Sequence, residues 1–242
     1  MKNRWWAKAI LVTAVIGAAL LPIGALGTRF GLWSFQIGLL AVAVATALAL
    51  VGLLATIIAG IVIARKGYTG ERNPVLMGMV INVLVVAVMA VQFYSAQASP
   101  PIHNISTDTD NPPQFAAVVA LRGDSSNSLE YNAETLAPLQ SAAYPWVKSL
   151  SLATSQANTV ASVVAVLTDM GLEIVASDPA AGIVEATDTT FWFGFKDDVV
   201  VRVSGNGAGS TVDVRSVSRV GVSDLGANAR RIGEILRLLT EG

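Results

Sequence analysis

Charged side chains are interleaved throughout the second half of this 242-residue chain, and in its strand-like stretches the alternation of side chains limits the chemistry they can share. Read as a strand, Thr211 to Ser218 sends Val212 and Val214 to one side and Asp213, Arg215 and Val217 to the other, because successive strand side chains point to opposite faces. The same parity lets Glu185 and Arg202 face the polar side from other strands, within cross-strand reach. Such groups form either a solvated lattice of ion pairs, which adds little stability, or a recognition surface. Acid–base chemistry would need a carboxylate pair such as Asp197 with Asp213 or Glu185, and nothing in the spacing selects one. Nucleophilic chemistry at Ser216 or Ser218 would need a base. Asp213 faces away from both serines, however, and the one histidine, His103, lies far back in a proline-rich stretch.

With no cysteine there is neither a thiol nucleophile nor a disulfide framework. His103, near Asp108 and Asp110, offers one nitrogen and two carboxylates on a loop, short of the usual ligand sets. The expectation is a hydrogen-bonded surface imidazole, with no metal and no other cofactor. Gly205, Gly207 and Gly209 are spaced like a phosphate cradle, but such cradles lead from a strand into a helix. Here Ser204 to Ser210 joins two strands, so a hairpin turn is expected. Asn104-Ile105-Ser106 matches a glycosylation triplet, a pattern too common to carry weight. Phe191-Trp192-Phe193-Gly194-Phe195 forms an aromatic cluster at a strand or strand end. Core packing is expected for at least two of its rings, with contact at a membrane surface as the alternative. The candidates for holding a ligand or partner are Glu185, Trp192, Lys196, Asp197, Arg202, Asp213, Arg215, Arg219, Asp224 and Asn228. Asp224 has helix capping as its simpler role, and Arg219 the satisfaction of carbonyls.

These residues need strands and helices to place them. Ala157 to Met170 has Val160, Val163, Val164 and Leu167 at helical spacing, with Thr154 or Ser155 as cap and Gly171 just past the end. Leu172 to Ala176, Ile183 to Thr189, Val199 to Ser204 and Thr211 to Ser218 read as strands separated by turn residues. A last helix starts near Ser223 or Asp224. Leu225, Ala229, Ile232, Leu236 and Leu239 form its apolar stripe, and Arg230, Arg231, Glu234 and Arg237 its wet side. Short connections make the sheet antiparallel, and two helices cover one side of it, which gives a two-layer α+β sandwich. Residues 118–152 resist assignment.

The first hundred residues are written for a different solvent. Hydrophobic residues make up 53% of the chain and charged residues 14%, against about 25% charged in soluble domains. Charges before Ser99 are confined to short clusters. Ala7 to Leu26, Phe35 to Ile63 and Val75 to Phe93 are long enough to cross a hydrocarbon core of roughly 30 Å. Small residues, among them Gly17, Ala25, Gly52, Ala55, Ala59 and Gly60, allow close helix packing, and Asn82 is expected to form an interhelical hydrogen bond. Apart from Lys8 at the mouth of the first, the spans hold no Asp, Glu, Lys or Arg, which argues against an ion-coupled transporter. Lys2, Arg4 and Lys8 precede or open the first span, and Arg65, Lys66 and Arg72 fill the second loop, against Arg29 alone in the first. Positive loops stay inside, so the amino terminus is expected in the cytoplasm and the carboxy-terminal domain outside. A cleaved signal peptide is the alternative for the first span. Trp5, Trp6, Trp33, Tyr68, Phe93 and Tyr94 fall at the expected interfaces. The reading is thus a membrane anchor over 1–99, a proline-rich strap over 100–113 and an α+β domain over 114–242.

One set of segments also carries a resemblance. Pro101-Ile102-His103-Asn104-Ile105-Ser106-Thr107-Asp108 and Pro112-Pro113-Gln114-Phe115 are followed by Val184-Glu185-Ala186-Thr187-Asp188 running through Trp192-Phe193-Gly194-Phe195-Lys196-Asp197-Asp198. Asp213-Val214-Arg215-Ser216-Val217-Ser218-Arg219 then runs through Asp224-Leu225-Gly226-Ala227-Asn228. Together they resemble the family called domain of unknown function 1499, over about residues 101–242. The resemblance implies a bacterial envelope protein and transfers no activity. The resulting expectation is a non-enzymatic envelope module, anchored in the bacterial inner membrane, whose periplasmic domain binds a lipid, a small amphiphile or a protein. The alternatives are a subunit or assembly factor of a membrane complex, and a carboxylate-dependent hydrolase. A net charge of -1 and the lack of a basic footprint argue against nucleic acid, and none is expected as a partner.

Overall fold

The computed structural model describes residues 4–207 and 209–241. Lys2, used above for orientation, and Ala208 of the glycine-rich turn lie outside the described residues. The chain divides into two compact units. One comprises the residues up to Ser95 together with Phe191–Gly194, and the other Ala96–Thr190 and the residues from Phe195 onward.

The first unit contains α1 (Trp5–Arg29), α2 (Phe35–Lys66) and α3 (Arg72–Ala98) up to Ser95, each helix long and apolar enough to cross a membrane. Missing side chains let α1 and α2 approach closely. A Cβ placed on Gly24 would sit 2.8 Å from the Ala41 Cβ and 2.9 Å from the Gly38 carbonyl oxygen. The Trp33 indole donates to the Gly24 carbonyl at 3.1 Å, closing the connection between the two helices. Gly67 ends α2 in the left-handed region at φ 68°, where a side chain would be strained. Asn82 on α3 is 1% exposed and packs against Gly52 of α2. The hydrogen bond expected of it is not made by its amide nitrogen, which has no partner, because glycine offers bare helix backbone whose groups bond within their own turn.

The second unit is the expected two-layer α+β sandwich. Strands β1 (Asn104–Ser106), β2 (Leu150–Leu152), β3 (Glu173–Asp178), β4 (Ile183–Thr189), β5 (Lys196–Gly205) and β6 (Ser210–Ser218) form one antiparallel sheet. Its order is β1-β6-β5-β4-β3, with β2 also pairing β6. Three helices accompany it: α4 (Ala133–Ala143), α5 (Gln156–Asp169) and α6 (Ala227–Glu241). α5 starts where Ser155 accepts from the Asn158 amide, and Gly171 follows its end at φ 84°. Val160, Val163 and Leu167 of α5 and Ala229, Ile232, Ile235 and Leu239 of α6 close over Val184, Val199, Val201, Val203, Val212 and Val214. That side is the core.

The segment left unassigned supplies a 3₁₀ turn (Val118–Leu121), α4 and β2. Three differences from expectation have clear causes. α6 begins at Ala227, since Leu225 and Gly226 adopt positive φ. Arg231 is 8% exposed rather than wet, because two carboxylates hold it against the sheet. The aromatic cluster lies in the connection between β4 and β5, outside either strand. Phe191 and Trp192 are 68% and 55% exposed there, and none of the four rings joins the core, which the valine rows already fill.

Candidate functional site

The polar face of the sheet is organised in rows set by strand register. Glu185, Val200 and Arg215 share one row; Thr187, Asp198 and Val217 the next; Arg202 and Asp213 pair in a third. This face is covered, not solvated as a lattice would be. The chain from Thr107 to Tyr131 crosses it, and each charged group of the rows binds that segment or a neighbour. Glu185 is 1% exposed. Its carboxylate accepts from the amides of Ala116 at 2.8 Å and of Ala117 and Val118 at 2.9 Å, where the 3₁₀ turn begins and amides lack internal partners.

Arg215 is fully buried and forms no ion pair among the described residues. Its Nε donates to Asn104 Oδ1 and its Nη1 to the Pro113 carbonyl, both at 3.0 Å, while Nη2 donates to the Leu129 carbonyl. The rings of Phe115 and Tyr131 stand 5.3 and 5.6 Å from the guanidinium carbon. Burial pushes the guanidinium down to about 10, Tyr131 and Arg122 acting in opposite senses, so it stays charged at neutral pH. Burial also pushes the Tyr131 phenol up to about 12, against the pull of Arg215. Asp198, 0% exposed, takes a bidentate bond from Arg219, a second guanidinium from Arg122 and the Thr187 hydroxyl at 2.9 Å. Arg219 also donates to the Leu121 carbonyl at 2.8 Å. Arg202 bridges Asp108 at 2.9 Å and Asp213 at 2.8 Å, and Ser149 donates to the other Asp213 oxygen. At the sheet edge, the Gln140 side chain of α4 donates to the Ser106 carbonyl at 2.7 Å and accepts from its amide at 3.0 Å, completing a ladder that would otherwise be open.

A second cluster lies on the helix side. Asp188 and Asp197 face each other across β4 and β5, and Arg231 Nη2 donates to both, at 2.6 and 2.7 Å. Burial pulls the Arg231 guanidinium down, but Asp197 and Asp188 outweigh it and the net shift is upward. Asn228 joins three parts of the chain: its Oδ1 accepts from Ser216 and Arg231, and its Nδ2 donates to Ser218 and to the His103 carbonyl. Asp224 accepts from the amides of Gly226 at 2.8 Å and Asn228 at 2.7 Å, which is the capping role. Burial raises its carboxyl above the usual range.

The ten candidates therefore fall into three places. Glu185, Arg202, Asp213, Arg215 and Arg219 lie on the covered face; Asp197, Asp224 and Asn228 belong to the helix-side cluster; Lys196 and Trp192 are exposed at or beside the start of β5. Asp197 is thus separated by the sheet from Asp213 and Glu185. Ser216 and Ser218 are bonded to the Asn228 amide, which is no base. His103 Nδ1 lies 3.3 Å from the Val222 carbonyl. Sequence reasoning missed Asp198, Arg122 and Asn104. Asp198 was within reach, because it shares the parity of Arg202, whereas Arg122 stood in a stretch without periodicity. Among the described residues no set of imidazoles and carboxylates converges as metal ligands.

A recess of about 330 Å³ opens beside the strap, lined by His103, Asn104, Asn127, Ser128, Glu130, Asn132, Thr135 and Leu136. No curated protein matches the chain. A family model described as a protein of unknown function, DUF1499, matches residues 104–239, from the first residue of β1 into the last turn of α6 and over more than half of the chain. The covered polar rows, the Arg231 cluster and the lining of the recess other than His103 lie inside those bounds, and the chain belongs to the DUF1499 family.

Proposed function

We propose that this chain is a non-enzymatic module of the bacterial envelope, held in the cytoplasmic membrane by its three helices, whose α+β domain lies outside and binds a lipid, a small amphiphile or a protein. The observation that carries the reading is the fate of the reactive candidates. The carboxylates that acid–base chemistry would use are divided between two faces of the sheet and held by guanidinium or amide donors. The serines donate to or accept from an amide rather than a base. Groups so fully engaged stiffen a scaffold. The orientation rests on Arg4, Lys8, Arg65, Lys66 and Arg72 at one end of the helices against Arg29 at the other.

The polar recess beside His103 is the place to look for a ligand, since its volume lies at the lower end of the roughly 300–1,000 Å³ typical of small-molecule sites. The test is native mass spectrometry of the full-length protein released from its own membrane in mild detergent. A retained small molecule that disappears in Thr135→Trp, which fills the recess, supports binding there. A stoichiometric membrane protein, retained equally by both forms, would replace this reading with that of a complex subunit. Turnover of an ester or glycoside by the purified protein, abolished by Asp197→Asn, would overturn the non-enzymatic part.

A further inference from the structure

Where the last turns of α2 meet the first turns of α3, the helical unit holds a second recess, of about 520 Å³. Gly60, Ile63, Leu76 and Met79 line it, with Tyr68 and Arg72 at its loop end. The walls are apolar and suit a hydrocarbon chain. At Gly60 an added Cβ would meet nothing within 4 Å, so this stretch of α2 faces open space.

Arg72 lines the loop end of the recess, and Arg65 and Lys66 stand in the last turn of α2, just before that loop. Arg65, Lys66 and Arg72 are exposed and form no ion pair among the described residues. The acid beside them, Glu71, is 6% exposed and already engaged. It accepts from the Arg4 amide at 3.2 Å and lies 4.0 Å from the Arg4 side chain, whose guanidinium stacks on Tyr68 at 3.9 Å. This end of the helices therefore presents basic groups with no free acid to answer them among the described residues, next to an apolar slot at the ends of two helices long and apolar enough to cross a membrane. Basic pockets between transmembrane helices select anionic headgroups.

We propose that the recess binds one anionic phospholipid, its phosphodiester held by Arg72 with Arg65 and Lys66, and one acyl chain laid against Gly60, Ile63, Leu76 and Met79. The site is separate from the recess beside His103, and each is tested without the other.

The experiment is native mass spectrometry of the full-length, delipidated protein in mild detergent, titrated with phosphatidylglycerol or with phosphatidylcholine of the same chains. The expected result is a single retained phosphatidylglycerol and much weaker retention of phosphatidylcholine. Arg72→Ala should weaken the anionic lipid about fivefold, the worth of one basic side chain near an anionic headgroup. Gly60→Phe, which leaves every charge in place, should abolish single-lipid retention by blocking the chain slot, while Thr135→Trp leaves it unchanged. Equal retention of the two lipids overturns the proposal. So does wild-type retention by Gly60→Phe, which would mean a loosely attracted lipid belt, or a doubled mass in place of bound lipid, which would make the recess a contact between copies.

Discussion

Glu185 and Arg215 stand on either side of Val200 in one row of the sheet, on the same face, 1% and 0% exposed, and neither forms an ion pair among the described residues. Two strand spacings separate them by about 10 Å. At that distance their attraction is worth about 1–2 kcal/mol at an effective dielectric near 20, too little to offset the burial of either charge. Local dipoles must make up the difference. Three converging amides answer the carboxylate, and three carbonyl-type oxygens with two ring faces answer the guanidinium. Both charges therefore hold the segment from Pro113 to Tyr131 against the sheet.

Glu185→Gln tests the clamp with little change in shape. A glutamine keeps one acceptor oxygen for two of the amides but turns an NH₂ group toward the third, so two donors face each other in a buried site. A loss of about 2–3 kcal/mol is expected, read as a fall in the thermal midpoint of the detergent-solubilised chain. Faster amide hydrogen exchange at residues 116–118 should accompany it. An unchanged midpoint with unchanged exchange would mean that the segment is held by its apolar contacts alone.

The layer order and most strands were legible because their signals are local: charge depletion for the spans, β-branched alternation for β4 to β6, caps and glycine for α5. Parity also placed Glu185, Arg202, Asp213 and Arg215 on one face. It could not say what covers that face, since the covering chain from Thr107 to Tyr131 has little regular structure and no period to read. Arg231 shows a different failure. It lies three residues after Asn228 and four before Ile235, both buried, so helical spacing put it on the inner stripe and its charge alone argued for water. Its two carboxylate partners come from strands more than thirty residues away.

The pH dependence of stability should carry the mark of Asp224. Burial raises its carboxyl, Asp197 adds to the rise, and the amides of Asn228 and Gly226 and the Arg231 guanidinium oppose it. A carboxyl raised on folding binds its proton more tightly in the folded chain, so it costs stability as pH climbs from about 4 through the raised value, and the full cost persists above it. Asp224→Asn keeps an oxygen for the two amides and removes the ionisation. Its thermal midpoint should fall less than that of the wild type as pH rises from about 4 to 7, whereas Asp224→Ala should lie about 1 kcal/mol below Asp224→Asn throughout for want of the cap. Parallel curves for wild type and Asp224→Asn would show that the carboxyl is not raised.

Arg231 separates two carboxylates that register sets directly opposite each other, Asp188 on β4 and Asp197 on β5. Arg231→Met should therefore cost about 3–5 kcal/mol, the penalty for leaving a buried charge without its partner. Adding Asp197→Asn removes one of the facing charges and should recover part of that loss. A double-mutant cycle read by thermal unfolding is expected to give a coupling of about 1–3 kcal/mol. Additive effects would assign the Arg231 loss to packing of its stem rather than to the carboxylates.

In the helical unit, the close approach of α1 and α2 depends on two missing side chains. A Cβ on Gly24 would lie 2.9 Å from the Gly38 carbonyl oxygen, and one on Gly38 would lie 2.7 Å from the Gly24 carbonyl oxygen, so each glycine makes room for the other's backbone. Both obstacles are main chain and cannot swing away. Gly24→Val and Gly38→Val should push the helices apart and cost about 1–3 kcal/mol each through overpacking, seen as less monodisperse protein after heating in detergent. Gly60→Ala is the matched control, because it adds apolar volume to the same bundle where nothing lies within 4 Å, and it should heat like the wild type. If all three variants aggregate alike, the loss follows from glycine content in general and the Gly24–Gly38 contact has no special part in holding α1 to α2.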